Sequence, residues 1–264
     1  MNIDRILTLH PNTSKSEWHQ HPNGGGWIHN LAKVDDSAQV FGNAWVSGNA
    51  RVCGDAQVFG NAQVYGKARV FGNARVCDDA WVSGNARVCG EAHVSGNAQV
   101  YGKAWVYGEA RVSGDARVYG EAHVFGNARV FGNAWASGEA RVYGEARVSG
   151  DAWVYGNAQM SDDAWACGEA RVYGEARVFG EAHVSGNARV YGNAWGKSPL
   201  YIQGSIWSCN MVDSERLRIG CETHTFEKWH EIQKQLESNN DMTQEQCFEY
   251  RAYLALAEQL YQKE

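Results

Sequence analysis

The chain has 264 residues, with 30 glycines, 3 prolines and a formal net charge of −6. So little proline, without Gly-X-Y triplets, excludes collagen, and the mildly acidic balance disfavours a nucleic-acid partner, since such binders usually carry a strongly basic surface. No segment approaches the ~18 apolar residues of a membrane span, and residues 1–5 lack the pattern of a signal peptide. We therefore expect a cytoplasmic protein without a membrane partner.

The first 33 residues precede any regular pattern. Their larger apolar side chains, Trp18, Trp27, Ile28 and Leu31, flank a turn of three glycines at residues 24–26. The repeat array that follows would expose unpaired strand edges at its ends, which proteins normally cover. We therefore predict that residues 1–33 form a small N-terminal cap.

The role of the cap histidines His19, His21 and His29 stays open at this stage. His19 and His21 form an HxH pair that could bind a metal, with His10 or His29 nearby. A bare HxH pair is weak evidence, and histidines packed in or on a cap are commoner. The seven cysteines contain no CxxC pair that would signal a zinc site, so we predict no metal and no cofactor.

A six-residue repeat runs from Val34 to Trp195 without an insertion or deletion. Its consensus, Val-x-Gly-(Asn/Asp/Glu)-Ala-x, recurs 27 times, with alanine in the fifth place of every unit. The third place is glycine except at Asp36, Asp78 and Asp162. Alternate residues of a strand point to opposite sides, so valine and alanine point inward and the variable residues outward. Glycine and its successor turn the chain at a corner.

Three such units make one triangular coil of a parallel β-solenoid. Residues 34–195 predict nine coils, a rod of about 45 Å at the ~4.8 Å spacing of strands. Alanine suits the crowded places inside so narrow a prism. Ile202 and Ile206 keep the phase of the repeat after a broken unit at residues 196–199, which predicts a tenth, partial coil. We assign residues 34–207 to the solenoid.

Stacking the coils sorts the outward residues into three faces, of which the first is aromatic. Its candidate binding residues are Trp45, Tyr65, Trp81, Tyr101, Tyr119, Trp135, Trp153, Tyr155, Tyr173 and Tyr191. A serine accompanies three of the tryptophans, which suggests neighbours matched for volume. Tryptophan and tyrosine dominate binding hot spots, but cross-strand ladders that stabilise the coil explain this aromatic face equally well.

The second face carries a basic strip over five consecutive coils. The strip consists of Arg75, His93, Arg111, Arg129 and Arg147. It could contact an acidic protein, a nucleotide or a nucleic-acid backbone. Neutralisation by corner acids such as Glu91, Glu109 and Glu145 is the simpler interpretation. The third, mixed face combines arginines with aromatic residues, among them Arg51, Arg69, Arg87 and Trp105.

Residues 208–264 form a predicted C-terminal segment of a β-hairpin and two helices. The hairpin is predicted over residues 206–222 and turns at residues 213–214. The helices run from about Phe226 to Leu236 and from about Gln244 to Gln262, after threonine caps at Thr225 and Thr243. An apolar stripe on the second helix is predicted to contact the solenoid end or a partner subunit. The stripe consists of Phe248, Ala252, Leu256 and Leu260.

Two segments carry a resemblance to known proteins. His21-Pro-Asn-Gly-Gly-Gly-Trp-Ile and Ala32-Lys-Val-Asp-Asp-Ser-Ala-Gln-Val resemble phage and prophage hexapeptide-repeat proteins, and the repeat is similar to that of YdcK-like bacterial proteins. The resemblance covers roughly residues 20–225. It implies an all-β fold, the left-handed parallel β-helix of the hexapeptide-repeat superfamily. Members are commonly trimers, so we expect a homo-oligomer, either a trimer or a dimer.

The superfamily includes acyltransferases and γ-class carbonic anhydrases, both of which depend on histidines. This solenoid has only His93, His123 and His183, with no protruding loop. His93 and His183 share a face but lie five coils apart, about 24 Å, which is too far for joint catalysis. The anhydrase pattern needs three histidines converging on one zinc ion, and it fails within a chain. These features favour a protein that is not an enzyme.

We therefore predict a phage-encoded, non-enzymatic solenoid that binds a host protein through its aromatic face and basic strip. Inhibition of a host antiviral defence factor is the role that such an origin suggests. Two alternatives stay open. The first is an acyltransferase with a site between subunits. The second is a nucleotide-sequestering sponge, in which rings stack on bases and arginines bind phosphates.

Overall fold

The computed structural model describes residues 3–191, 194–195, 200–212, 215–238 and 242–261. The predicted break at residues 196–199, the predicted turn at residues 213–214 and the predicted helix end at Gln262 lie outside the described residues.

Short parallel strands wind into a three-sided solenoid in which each strand pairs with the one 18 residues later, and each side is one sheet. The aromatic-face sheet contains Trp18–Gln20, Trp27–His29, Trp45–Val46, Gln63–Val64, Trp81–Val82, Gln99–Val100, Arg117–Val118, Trp135–Ala136, Trp153–Val154, Arg171–Tyr173 and Arg189–Tyr191. The basic-face sheet contains Gln39–Val40, Gln57–Val58, Arg75–Val76, His93–Val94, Arg111–Val112, Arg129–Val130, Arg147–Val148, Trp165–Ala166 and His183–Val184. The mixed-face sheet contains Lys33–Val34, Arg51–Cys53, Arg69–Phe71, Arg87–Val88, Trp105–Val106, His123–Val124, Arg141–Val142, Gln159–Met160, Arg177–Val178 and Ala194–Trp195. The predicted parallel solenoid and its three faces are confirmed.

The interior consists of the valines and alanines of the repeat. From Ala38 to Val190 these side chains are fully buried, as the alternation predicts. Met160 replaces a valine, and Ala166 replaces another on a different wall of the same coil. The larger and the smaller side chain together nearly conserve the volume of that coil, which a close-packed interior requires.

The corners need a left-handed backbone, which glycine adopts without strain. Gly126 has φ 68°, and a Cβ there would approach the Gly144 backbone nitrogen to 3.1 Å. Asp78 and Asp162 adopt the same region, with φ of 60° and 56°. Each carboxylate accepts a hydrogen bond from a backbone amide in the next coil, Gly96 N at 3.0 Å and Gly180 N at 3.1 Å. These bonds offset the strain that a side chain suffers there.

The N-terminal cap is built from helix α1 (Ile3–Leu9), a short 3-10 helix (Lys15–Glu17) and two strands. The second strand, Trp27–His29, pairs with Trp45–Val46 and so extends the aromatic-face sheet. Trp18 and Ile28 are buried, as expected of a cap, whereas Leu31 is exposed.

A four-stranded antiparallel sheet covers the other end, where only a hairpin was expected. It consists of Tyr201–Gln203, Ser208–Met211, Arg216–Ile219 and Glu222–Thr225. Ile202 pairs antiparallel with Cys209, so the predicted tenth coil is wrong. Leu200 and Ile206 fall on the alanine place of the repeat, and both side chains are too large for the interior of the prism.

Helices α2 (Phe226–Ser238) and α3 (Gln244–Tyr261) follow the sheet. The predicted capping box of α3 is present, with Gln246 N donating to Thr243 Oγ1 and Thr243 N to Gln246 Oε1. The predicted contact of the apolar stripe with the solenoid end is wrong. The buried residues of α3 are Tyr250, Leu254 and Ala257, and the stripe residue Phe248 is 73% exposed. No helix within the described ranges is long and apolar enough to cross a membrane.

Candidate functional site

The rings of the aromatic face form a column along the solenoid. Trp45 stacks on Tyr65 with ring centroids 5.7 Å apart, and Tyr65 lies 5.9 Å from Trp81. The column continues to Tyr101 at 5.8 Å and from there to Tyr119 at 5.0 Å. The planes are within 27° of parallel throughout this run. Successive coils therefore stabilise one another through outward side chains as well as through the core.

The serines beside the tryptophans have a steric role in this column. Ser83 occupies the place between Tyr65 and Tyr101, and the indole of Trp81 lies between those two rings. Ser83 is consequently only 6% exposed although it points outward. Ser47 and Ser137 are buried in the same way. The volume matching predicted from the sequence is explained by the indole leaning over the small neighbour.

Towards the C-terminal end the column includes arginines. Trp135 stacks on Trp153 with centroids 4.6 Å apart. The guanidinium groups of Arg117 and Arg171 lie 5.0 Å from the rings of Trp135 and Trp153, respectively. These distances are typical of cation–π contacts.

A second run joins Tyr155, Tyr173 and Tyr191, each 5.2 Å from the next. Burial raises the pKa of Tyr65, Tyr101 and Tyr173 above the usual value for tyrosine. The ten predicted aromatic residues are thus brought together, but largely in contact with one another.

The basic strip is a straight column on the neighbouring face. Arg75 is in register with His93, His93 with Arg111, and Arg111 with Arg129 and then Arg147. The four arginines are exposed, and none lies within ion-pair distance of a carboxylate in the part of the chain that the structure describes. Burial, followed by the charges of Arg75 and Arg111, lowers the pKa of His93, so this residue is neutral near pH 7.

Carboxylates share the groove of the basic strip. Arg75, His93 and Arg111 line a groove with Glu91 and Glu109, and the next stretch adds Glu145 beside Arg129 and Arg147. The corner on the other side carries Asp79, Asp115 and Asp151. Asp79, Asp115 and Asp151 accept hydrogen bonds from the side chains of Asn61, Asn97 and Asn133 in the preceding coil. The strip is therefore a surface with charges of both signs rather than a purely cationic one.

The mixed face contains a column that the sequence reasoning did not assign to a site. Lys33, Arg51, Arg69 and Arg87 are in register on successive coils, and all four are exposed. Lys33 lies before the first full unit, and reading the repeat one strand further back would have placed it in this column. At the upper end of the column, the guanidinium carbon of Arg87 lies 5.5 Å from the centroid of the Trp105 ring in the next coil.

The solenoid histidines are parts of ladders and do not form a shared site. His123 packs edge-on against Trp105 at 5.6 Å, and burial followed by the charge of Arg141 lowers its pKa. His183 lies 5.4 Å from the ring of Trp165. No loop protrudes from the described corners between residues 34 and 191. The geometry of these histidines lends no support to an acyltransferase.

The cap histidines contact their immediate surroundings. His19 Nδ1 lies 3.1 Å from Asn30 Oδ1, His29 Nε2 lies 3.4 Å from Glu17 Oε2, and His21 Nδ1 lies 3.2 Å from the Asn23 carbonyl. Within the described residues, no three His, Cys, Asp or Glu side chains are grouped so that they could hold a metal ion.

The three stacked parallel sheets and their two-residue corners define a class of protein, and the comparisons agree with it. The chain has the fold of a left-handed hexapeptide-repeat β-helix. Its units match the YdcK β-solenoid repeat at residues 38–54, 62–78, 68–84, 110–124, 122–138, 140–156 and 182–195.

Among solved structures, LpxA from Acinetobacter baumannii is similar, with a TM-score of 0.51 and 10% sequence identity. The match covers 70% of this chain and 73% of that one, and at this identity it shows a shared fold alone. No curated protein sequence matches the chain.

Proposed function

We propose that the protein is a non-enzymatic binding scaffold whose basic strip docks against the surface of a protein partner. The observation that supports this proposal is the groove in which Arg75, Arg111, Arg129 and Arg147 lie beside Glu91, Glu109 and Glu145, with no ion pair between them among the described residues. Arginines held one coil apart offer bidentate hydrogen bonds to carboxylates, and the glutamates accept from lysine or arginine of the partner.

The mixed charge favours a protein over a nucleotide or a nucleic acid. A phosphate backbone would gain from the arginines but would be repelled by the glutamates that line the same groove. A folded protein surface presents both signs of charge and can satisfy both. The rings of the aromatic face lie across one corner from the strip, and their exposed edges would extend the contact.

The resemblance to phage and prophage repeat proteins suggests where the partner comes from. In that setting the partner would be a host protein, such as a factor in antiviral defence. We propose further that the scaffold is a homo-oligomer, a trimer or a dimer, because every copy of the chain presents the same exposed faces and identical subunits favour closed symmetric assembly.

Cross-linking followed by charge substitution tests this function. A photoreactive phenylalanine analogue at Ser113, beside Arg111, is expected to trap one defined protein in the lysate of a host cell. The same analogue at Phe179 on the mixed face serves as the matched control and is expected not to trap that protein. The trapped protein is then purified and its affinity measured with charge variants.

Two variants separate a mixed-charge interface from a simple anion site. Arg111→Gln/Arg129→Gln/Arg147→Gln and Glu109→Gln/Glu145→Gln are each expected to weaken binding by about tenfold. Binding that tightens in the glutamate variant contradicts a protein partner of mixed charge and favours a polyanion. Tight binding of a nucleotide in calorimetry, or no strip-specific cross-link, likewise overturns the proposal.

A further inference from the structure

The mixed face carries a second cationic surface that differs from the basic strip in its surroundings. The column of Lys33, Arg51, Arg69 and Arg87 spans four coils. The corner that leads into this face adds Lys67 and Lys103, two coils apart, with Asn85 between them and Asn49 one coil below Lys67. We name these six cations the cationic column.

Only one of the six cations has a carboxylate partner in the described residues. Lys103 Nζ lies 2.7 Å from Glu121 Oε1, an ion pair exposed to solvent. The other carboxylates near the column are Asp35 and Asp36 at its lower end and Asp55, Glu91 and Glu109 at the far corner of the face. On the four coils from Lys33 to Arg87, five cations therefore oppose four carboxylates, and the corner nearest the cations carries Lys67 and asparagines in place of acids.

The basic strip has the opposite balance. Its four arginines lie between two corners that carry seven carboxylates. These are Asp78, Asp79, Glu91, Glu109, Asp115, Glu145 and Asp151. Exposed arginines on both faces look alike in the sequence, but only on the four coils from Lys33 to Arg87 do the cations outnumber the carboxylates, which gives a locally positive field. A field of this kind attracts a purely anionic partner, which the strip would repel.

The aromatic rings next to the column determine which anion fits. Trp105 is covered by Arg87 and by His123, and Tyr107 stacks on Phe125 with centroids 4.8 Å apart. Proteins that hold single-stranded nucleic acid offer free aromatic faces to the bases. Trp105 and Tyr107 thus contact neighbouring side chains, and Phe71, the ring beside Arg69, is a single ring rather than a platform for successive bases.

We propose that the cationic column binds an acidic protein segment in extended conformation. From Lys33 to Arg87 the column rises three coils, about 14 Å at the spacing of β-strands. An extended chain covers that distance in about four or five residues, with side chains on one side every ~7 Å. Two or three glutamates or aspartates at alternate positions therefore reach the column together. This surface is separate from the one in the proposed function and does not depend on it.

A fluorescent oligoglutamate peptide of about eight residues tests the proposal, because it spans the whole column. Its binding is followed by anisotropy, beside an oligothymidylate of equal charge. Arg51→Gln/Arg69→Gln/Arg87→Gln is expected to weaken peptide binding by about tenfold. The matched control, Arg111→Gln/Arg129→Gln/Arg147→Gln, removes the same charge from the basic strip and is expected to change it less than about twofold.

Three results would overturn the proposal. The two triple variants could lose peptide binding equally, the oligothymidylate could bind the column more tightly than the peptide, or the column variant could change the oligomeric state in light scattering. The last result would assign the column to a second copy of the chain. If the arginine variant fails to fold, Lys33→Gln/Lys67→Gln replaces it, with an expected loss of about fivefold. Failure here leaves the strip-specific cross-link intact, so the two proposals are tested separately.

Discussion

The aromatic face and the basic strip are neighbouring sides of the same coils, yet their outward side chains behave differently. Successive rings on the aromatic face contact one another, with centroids such as Trp135 and Trp153 only 4.6 Å apart. Successive cations on the strip point into solvent without a partner in the described chain. One strand spacing of ~4.8 Å suits stacked rings and places like charges at a repulsive distance. The same repeat therefore builds a stabilising face and a face available for binding.

Removal of a ring and removal of a cation from one coil should give the largest contrast. Trp135→Ala loses the stack on Trp153 and the contact with Arg117, and it uncovers Ser137. We expect the free energy of unfolding to fall by about 2–3 kcal/mol. Arg129→Ala, one strand earlier in the same coil, should change it by less than about 0.5 kcal/mol. Urea unfolding of both variants measures the difference. Similar losses of unfolding free energy would contradict the conclusion that the aromatic face stabilises the solenoid whereas the basic strip does not.

Adding a ring should be harmful on one face and harmless on the other. The Trp81 indole already lies between Tyr65 and Tyr101, so Ser83→Tyr overfills the column and should cost about 1–2 kcal/mol. Ser113 has the same place in the repeat on the basic face, beside the small Ser95 and the ring-bearing Phe131. Ser113→Tyr should shift the unfolding free energy by no more than about 0.5 kcal/mol. Equal destabilisation by the two variants would show that the serines are not matched to the tryptophans.

The sequence alone predicts most of this fold, because one repeat determines the interior, the corners and the assignment of residues to faces. It fails where the repeat ends. Ile202 keeps the phase but lies in an antiparallel sheet, since Leu200 and Ile206 cannot occupy an alanine place. The apolar stripe of α3 does not contact the solenoid end because that helix has apolar residues on two sides, and only the tertiary contact selects Tyr250 and Leu254. The charge surroundings of Arg51 and Arg111 also become visible only when the corners are placed in space.

A smaller effect is expected for the pH dependence of stability, through His10 at the N-terminal end of the aromatic face. His10 packs edge-on to Trp45 with centroids 4.5 Å apart, and burial followed by the charge of His29 lowers its pKa. The unfolded chain then binds a proton more readily than the native one, so stability is complete above the ordinary value of ~6.5 and decreases as the pH falls through it. Urea unfolding near pH 7.5 and near pH 5.5 should show this loss. His10→Phe should reduce the difference between the two pH values, and an unchanged difference would exclude a role for His10.

The smallest expected effect tests whether the strip cations act on one another. His93 lies between Arg75 and Arg111, and its pKa is lowered first by burial and then by these two charges. Replacing Arg75 by glutamine removes one repelling charge, so the pKa of His93 should rise towards its ordinary value while remaining below it. Proton NMR titration of His93 measures the shift, and His10, at the cap beyond the aromatic face, supplies an internal control that should not move. If the pKa of His93 is unchanged in Arg75→Gln, solvent screens the charges of the strip from one another. Its ability to bind would then depend on single arginines rather than on their column.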